Sequence, residues 1–320
     1  MRGSGTHRGA RSTIAAAVAM LVVGGCGGTD DAADPPTPTS TAPASTTTTT
    51  TTPSVVSRRP FTTEHSERTY QRTAADGSTR DLLTEVWLPV GDGPFPLVAF
   101  AHGMSGHPRK FHELFEAWAA AGYAVVAPRF PLSAADAGGS LADSVADAPQ
   151  QALDLEFVVA RVLAESADPT DPLHGHIDPD AVAVAGLSLG GGTALLASYS
   201  GCCPGLVPSV VLAFSPVPFA TEQAADAAPL FLMHGQKDTT LPYSGSRDLF
   251  DTAKNRRWLV TMPDAGHAAP YQDDPSAQDD LVRTVSIDVL DQFLLGDDDG
   301  VSRAESAVAA SGLATIESAG

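Results

Sequence analysis

The chain has 320 residues, 43% of them hydrophobic, which is enough to bury one large core or two small ones. Its 38 acidic and 19 basic side chains give a formal net charge of −19. Such an excess of negative charge argues against binding to nucleic acid, whose phosphates would be repelled. The composition also changes along the chain and predicts four segments, at residues 1–25, 26–60, 61–296 and 297–320.

The N-terminal segment has the features of a signal peptide. Three arginines precede an apolar run at residues 14–23, which is too short to span a bilayer as a permanent helix. The segment ends in Val23-Gly24-Gly25-Cys26, which resembles the lipobox of bacterial lipoproteins, whose cysteine is acylated. The resemblance implies a lipid anchor on Cys26 and a location on the outer face of the membrane of a bacterial cell envelope. Ordinary secretion with an unrelated cysteine is the alternative.

Two further segments have unusual compositions. Residues 26–60 are rich in Thr, Pro, Ala and Ser and lack the apolar surface that would offset the entropy of ordering. They predict a disordered, extended linker. Residues 297–320 begin with three aspartates and predict an acidic C-terminal tail with one weak helix at 303–312.

Residues 61–296 show the hydrophobic patterning of one folded domain. A hairpin is predicted at residues 68–74 and 81–90, joined by Asp76-Gly77. Continuous apolar runs predict strands covered on both faces, at residues 96–101, 123–127, 181–185, 210–214, 230–233 and 258–262. Helix-like segments alternate with them, at residues 112–121, 147–165, 191–200, 246–254 and 279–295. The alternation predicts an α/β fold with a doubly wound, mostly parallel sheet, whose sites lie at the carboxyl ends of the strands.

The segment from Gly186 to Gly190 reads Gly-Leu-Ser-Leu-Gly and lies between a predicted strand and a predicted helix. A sharp strand-to-helix turn of this kind exposes the central serine, Ser188, and aims helix N-terminal amides at a developing oxyanion. The alternative is the glycine-rich loop of a dinucleotide site. That alternative is disfavoured because the run lacks Gly-x-Gly-x-x-Gly and no acidic residue follows a second strand at the expected distance.

A serine nucleophile needs a base, and histidine is the expected one because it titrates near neutral pH. Two histidines follow Ser188, and we favour His267, in the loop after the last predicted strand, over His234, which ends a strand. An acid should orient this base, and Asp238 lies on the loop after the strand at 230–233. Asp264 is the competing acid, but it lies only three residues from His267.

The oxyanion hole needs two amide donors. One is expected from Leu189, directly after the nucleophile, and the other from an earlier strand-to-helix loop. That earlier loop follows the strand at 96–101, and Met104 is our candidate because His102-Gly103 ends the strand. We interpret His102 as a packed loop histidine and not as an acid or base.

Four blocks of sequence occur in a familiar order. They are the strand ending in His102-Gly103, the serine turn at 186–191, the His-Gly-Gln-Lys-Asp run at 234–238 and Gly266-His267. Over residues 68–296 the chain therefore resembles the α/β-hydrolase superfamily. Within it, the chain looks most like the branch of dienelactone hydrolases, platelet-activating-factor acetylhydrolases and cutinase-like polyester hydrolases.

The resemblance implies an eight-stranded sheet, ester or acyl substrates and no cofactor. It carries the nucleophile, acid and base onto Ser188, Asp238 and His267, and the oxyanion donors onto Met104 and Leu189. The sequence also departs from some members. Leu187 stands where many have histidine, dienelactone hydrolases use a cysteine nucleophile, and the HGGG loop of the hormone-sensitive-lipase branch is absent.

The resulting hypothesis is a serine carboxylic-ester hydrolase that cleaves a small-molecule or lipid ester through an acyl-enzyme on Ser188. An acyltransferase or a peptidase would use the same triad, and a non-catalytic surface binding protein could share the scaffold. We expect no metal, because the acidic and histidine residues at 171–178 lie in a short loop that is a poor metal site.

Two segments bear on access to the site. Residues 215–228 are too few for a large helical cap, so we expect an open site. Residues 130–149 are either a lid or a plain connecting loop.

The adjacent Cys202 and Cys203 leave two possibilities open. Neighbouring Cα atoms lie about 3.8 Å apart, closer than the usual disulfide range, so a bond between these cysteines would be strained. An oxidising compartment would nevertheless favour that bond over two free thiols.

Overall fold

The computed structural model describes residues 60–219 and 221–320, and a nine-stranded sheet runs through this part of the chain. The signal peptide, Cys26 and nearly all of the linker expected from the sequence lie outside the described residues. The strands, in chain order, are β1 (Thr63–Thr73), β2 (Thr79–Pro89), β3 (Phe95–Ala101), β4 (Ala124–Pro128), β5 (Ile177–Leu187), β6 (Val210–Phe214), β7 (Leu230–Gly235), β8 (Arg257–Met262) and β9 (Thr315–Ala319).

The strand order is β1-β2-β4-β3-β5-β6-β7-β8-β9. Neighbouring strands from β4 to β8 pair in parallel, whereas β1–β2, β2–β4 and β8–β9 are antiparallel. The central strands are buried along nearly their whole length, as expected of a sheet covered on both faces. The α/β class and the mostly parallel, doubly wound sheet predicted from the sequence are confirmed.

Helices cover both faces of this sheet. They are α1 (His112–Ala120), α2 (Leu141–Ala146), α3 (Ala148–Ala167), α4 (Leu189–Tyr199), α5 (Ser244–Thr252), α6 (Asp279–Leu294) and α7 (Gly300–Ser311). One apolar core packs α1, α6 and α7 against one face, and a second packs α3, α4 and α5 against the other. Successive strand residues alternate between the two cores, with Val98 in the first and Leu97 in the second. No helix of residues 60–219 and 221–320 is long and apolar enough to cross a membrane.

The C-terminal segment differs from the acidic tail that we expected after residue 296. It continues the domain, because α7 packs its Ala304 and Val308 into the core and β9 pairs with β8. The sheet therefore has nine strands where the resemblance implied eight. The acidic run can pack against the domain because of Arg303. Its guanidinium lies 2.9 Å from a carboxylate oxygen of Asp297 and also pairs with acidic side chains of α6. An acidic run that looked solvated in the sequence is partly neutralised by this arginine.

The Sγ atoms of Cys202 and Cys203 lie 2.6 Å apart, and the structure assigns no disulfide between them. Burial raises the pKa of the Cys203 thiol, so this sulfur stays protonated at neutral pH. A protonated thiol is a poor nucleophile, so Cys203 does not compete with Ser188 for that role.

A buried ionic network joins the N-terminal hairpin to α3. The Arg80 guanidinium lies 2.8 Å from Asp147 and 2.6 Å from Asp154, and both carboxylates are buried. Arg72 adds a contact of 2.7 Å to Asp154. The two arginines together offset the charge of two carboxylates that have little access to water.

We expect Arg80→Met to lower the free energy of unfolding by about 3–5 kcal/mol, because two buried carboxylates would lose their main partner. The matched control is Arg161→Met, since Arg161 is half exposed and lies 3.6 Å from Glu165. That variant should lose at most about 1 kcal/mol. Urea denaturation measures both, and similar losses for the two variants would contradict this account of the network.

Candidate active site

Ser188 lies at the sharp turn between β5 and α4, and its backbone has φ 61° and ψ −120°. A residue other than glycine rarely adopts this conformation, and the surrounding structure must hold it in place. The Ser188 amide donates to the Phe214 carbonyl at 2.9 Å, and the Val217 amide donates to the Ser188 carbonyl at 2.9 Å. These bonds fix the turn and leave the serine side chain at the surface of the sheet edge, partly exposed.

The glycines around Ser188 are required by close backbone packing. A Cβ atom on Gly190 would lie 1.9 Å from the Ala101 carbonyl oxygen, and one on Gly186 would lie 2.3 Å from the Gly190 carbonyl oxygen. No side chain fits at either position. The Gly-x-Ser-x-Gly spacing therefore brings the start of α4 against the end of β3.

The structure brings Asp238 and His267 together at the end of the parallel strands. The His267 Nδ1 atom lies 2.5 Å from Asp238 Oδ2. The amides of Thr240 and Leu241 each donate to Asp238 Oδ1 at 2.8 Å. Burial would raise the pKa of this carboxyl, but the hydrogen bonds from Leu241, His267 and Thr240 hold it below its usual value. Asp238 is therefore ionised at neutral pH.

The ionised carboxylate fixes the tautomer of His267. A carboxylate oxygen can only accept, so the proton of the neutral imidazole lies on Nδ1. The Nε2 atom is then left with a lone pair and can take a proton from a hydroxyl group. The His267 side chain is 16% exposed, whereas the Asp238 side chain is fully covered.

The loops carrying the acid and the base are joined through their backbones. The Gln236 amide donates to the Met262 carbonyl at 2.9 Å, and the Lys237 amide donates to the Ala265 carbonyl at 3.0 Å. Gly235 allows this approach, because a Cβ there would lie 2.3 Å from the Ala265 carbonyl oxygen. The competing acid, Asp264, is exposed and lies 2.7 Å from Lys237 Nζ.

The loop after β3 lies beside the serine. A Cβ on Gly103 would lie 3.1 Å from Ser188 Cβ and 3.7 Å from its Oγ, so the backbone of Gly103 almost touches the side chain. In the described part of the chain, neither the Met104 amide nor the Leu189 amide donates to another protein atom. Two unpaired amides near one hydroxyl are the arrangement that an oxyanion requires.

His102 holds this loop in place and takes no proton. The Phe130 amide donates to its Nε2 at 3.1 Å, so the ring proton lies on Nδ1, which donates to the Gly103 carbonyl at 2.8 Å. Burial lowers the pKa of His102 to about 4, so the ring is neutral near pH 7. The Gly103 carbonyl is thereby held toward His102, and the amide on the other side of the same planar peptide, that of Met104, points in the opposite direction.

Sequence reasoning missed one contact of the acid. His234, considered only as a rival base, lies behind the carboxylate with its Nε2 atom 3.0 Å from Asp238 Oδ2. The signal was present in the run His-Gly-Gln-Lys-Asp at 234–238, whose four-residue spacing lets the loop fold back on the strand end.

The segment at 130–149 is more than a plain loop. It contains α2, whose N-terminus is capped by Ser140, and the Ala135 amide donates to the Gly106 carbonyl at 2.8 Å. This bond attaches the segment to the loop of Gly103 and Met104.

Among the described residues, no group of three or more His, Cys, Asp or Glu side chains is placed to hold a metal.

We expect Gly190→Ala to destabilise the protein by at least about 1–3 kcal/mol, because the new methyl group must displace backbone at Ala101. Gly266→Ala is the matched control near the same site. A Cβ at Gly266 meets nothing within 4 Å and its φ is not positive, so the effect should stay within about 0.5 kcal/mol. Thermal unfolding of both variants measures this, and a fully stable Gly190→Ala protein would contradict the packing argument.

Comparison with known proteins agrees with the fold. Residues 98–320, more than half of the chain, match the model of an alpha/beta hydrolase family. No curated protein sequence matches the chain. The match is to the family as a whole and does not single out the branch of dienelactone hydrolases, platelet-activating-factor acetylhydrolases and cutinase-like enzymes. The chain belongs to the alpha/beta hydrolase family and is classed as a hydrolase.

Proposed function

We propose that this hydrolase cleaves carboxylic esters through an acyl-enzyme, with Ser188 as nucleophile, His267 as base and Asp238 as the acid that orients the base. The observation that carries the proposal is the 2.5 Å hydrogen bond between Asp238 and His267. It lies at the same edge of the sheet as the strained Ser188, since β5, β7 and β8 run parallel and end together.

The reaction begins when the Ser188 hydroxyl oxygen attacks the ester carbonyl carbon and its proton passes to His267 Nε2. The carbonyl oxygen becomes an oxyanion and accepts hydrogen bonds from the Met104 and Leu189 amides. Collapse of this intermediate expels the alcohol, which takes the proton from His267. Water then attacks the acyl-enzyme by the same route in reverse, releasing the acid and restoring Ser188.

Asp238 contributes to each of these steps without changing its own protonation. It holds the imidazole in the Nδ1–H tautomer and stabilises the positive charge that His267 gains. The depressed pKa of Asp238 supports this role, because the carboxylate stays ionised well into the acidic range.

The substrate we propose is a small-molecule or lipid ester. Only the 15 residues at 215–229 separate β6 from β7, which leaves no room there for a large helical cap. The Met104 side chain is 38% exposed beside the site, so an apolar acyl or alcohol group would find a partner at the entrance. An acyltransferase would use the same residues, and it is distinguished by product formation with an added alcohol acceptor.

Ser188→Ala should reduce hydrolysis of p-nitrophenyl esters by at least about a thousandfold, because the acyl-enzyme cannot form. Asp238→Asn should reduce it by about ten-thousandfold, because the amide favours the wrong tautomer of the base. The matched control is Asp264→Asn, in the exposed pair with Lys237, which should keep the wild-type rate. A series of esters of rising chain length measures the rates.

Labelling with a fluorophosphonate probe tests the nucleophile separately from the substrate. The wild-type protein should be labelled at Ser188, and Ser188→Ala should not. If Ser188→Ala keeps more than about a hundredth of the wild-type rate, the acyl-enzyme mechanism is wrong.

We also propose that the mature protein is held at the outer face of a bacterial membrane by a lipid on Cys26. The support is the sequence alone, in the apolar run at 14–23, the small residues before Cys26 and the Thr- and Pro-rich segment at 26–60. More than one acyl chain on the cysteine gives stable attachment.

Expression in a bacterial host with lipoprotein machinery should place the wild-type protein in the membrane fraction and Cys26→Ala in the soluble fraction. Cys202→Ala, which changes a cysteine of the folded domain, is the control and should stay with the membrane. Unchanged membrane association of Cys26→Ala would exclude the anchor.

A further inference from the structure

His234 is a fully buried histidine in contact with the proposed catalytic acid. It lies near the end of β7, paired with Thr261 of β8. Its Nε2 atom is 3.0 Å from Asp238 Oδ2 and 3.3 Å from the Leu241 carbonyl oxygen. Its Nδ1 atom is 2.7 Å from the buried hydroxyl of Ser246, at the start of α5.

These partners determine the positions of the protons. Both neighbours of Nε2 are oxygens that can only accept, so Nε2 carries a hydrogen and donates it. In the neutral ring Nδ1 then has a lone pair and accepts from the Ser246 hydroxyl. Burial lowers the pKa of His234. This effect outweighs the opposing effect of the Asp238 charge and keeps the ring neutral. The groups that face it are Asp238, His267 and the ring of Tyr243, whose centroid lies 5.8 Å away.

We propose that His234 is a positioning residue for catalysis, whose neutral Nε2–H group holds Asp238 Oδ2 at the angle at which it accepts from His267. This inference rests on the proposed function, because it assigns a role only if Asp238 and His267 act in the reaction. It goes beyond that function by adding a residue that touches neither substrate nor the base.

The two oxygens of Asp238 have different tasks, and this division explains why His234 is needed. Oδ1 is held by two backbone amides, whereas Oδ2 receives both imidazole donors. Without His234, Oδ2 would depend on the catalytic histidine alone, which moves and changes charge during turnover. A second donor also withdraws electron density from Oδ2 and makes it a weaker acceptor for the His267 proton.

Loss of this donor should therefore have two effects. The turnover rate should fall by roughly ten- to a hundredfold, because a hydrogen bond to a buried charge is lost and the carboxylate can rotate. KM should change little, since His234 does not reach the surface. The acid limb of the rate profile should move to higher pH. Without the second donor, Asp238 Oδ2 is a stronger acceptor and stabilises the protonated form of His267 more than it does in the wild-type protein.

The test compares His234→Gln with His234→Asn in the full chain. The Gln amide nitrogen reaches the position of Nε2 and can donate to Asp238, whereas the Asn amide ends near the position of Nδ1 and reaches only Ser246. We expect His234→Gln to keep a turnover rate and acid limb close to wild type. We expect His234→Asn to show the slower rate and the shifted limb, with a cooperative thermal unfolding transition showing that it is folded.

The result that would overturn the inference is a wild-type rate and pH profile for His234→Asn, or an equal loss in two folded variants. Imidazole nitrogen NMR of the wild-type protein supplies a test that does not depend on a variant folding. His234 should carry its proton on Nε2 near neutral pH, and an Nδ1–H tautomer would also overturn the inference.

Ser188→Ala, assayed alongside, separates this inference from the proposed function. If that variant stays active, the proposed function fails. If it is inactive while His234→Asn behaves as wild type, only the role of His234 fails.

Discussion

The site depends on one buried, ionised carboxylate. The Asp238 side chain has no contact with solvent, and an isolated charge in such a place would be protonated or would destabilise the fold. The chain satisfies both oxygens with two backbone amides and two imidazoles, so the charge persists without water. These donors lie at the end of β7 and in the loops that follow β7 and β8. The hydrogen bond to Asp238 orients His267.

The other half of the site depends on backbone packing and not on charge. The glycines of the serine turn let α4 approach β3 so closely that Gly103 lies against Ser188. The neutral His102 then holds the Gly103 carbonyl, so the direction of the Met104 amide is set by a group that stays uncharged near neutral pH. Each half contains a buried neutral histidine, His102 beside the loop of Gly103 and Met104 and His234 behind Asp238.

Much of the fold follows from local sequence pattern. The parts that could not be predicted depend on long-range partners of single residues. Continuous apolar runs identified β3 to β8, because a strand covered on both faces has no polar side. The Gly-x-Ser-x-Gly spacing located the turn of Ser188 because steric limits are local. β9 was missed because its polar sequence gives no strand pattern. α7 was underestimated because the pairing of Arg303 with Asp288, Asp291 and Asp297 cannot be read from spacing. The four-residue spacing of His234 and Asp238 allowed their contact, but the path of the loop in three dimensions was needed to show that the two side chains meet.

The last strand has a consequence for how the protein behaves at high concentration. β8 is an apolar strand, with Trp258 and Leu259 among its residues, and it would offer an open row of amides and carbonyls if it formed the edge of the sheet. Such an edge invites pairing with a second molecule and aggregation. β9 covers it with five mostly exposed residues, and Glu317, held by Arg247, places an ion pair on the new edge. By pairing with β8, β9 prevents this strand, which precedes the loop of His267, from pairing with a second molecule.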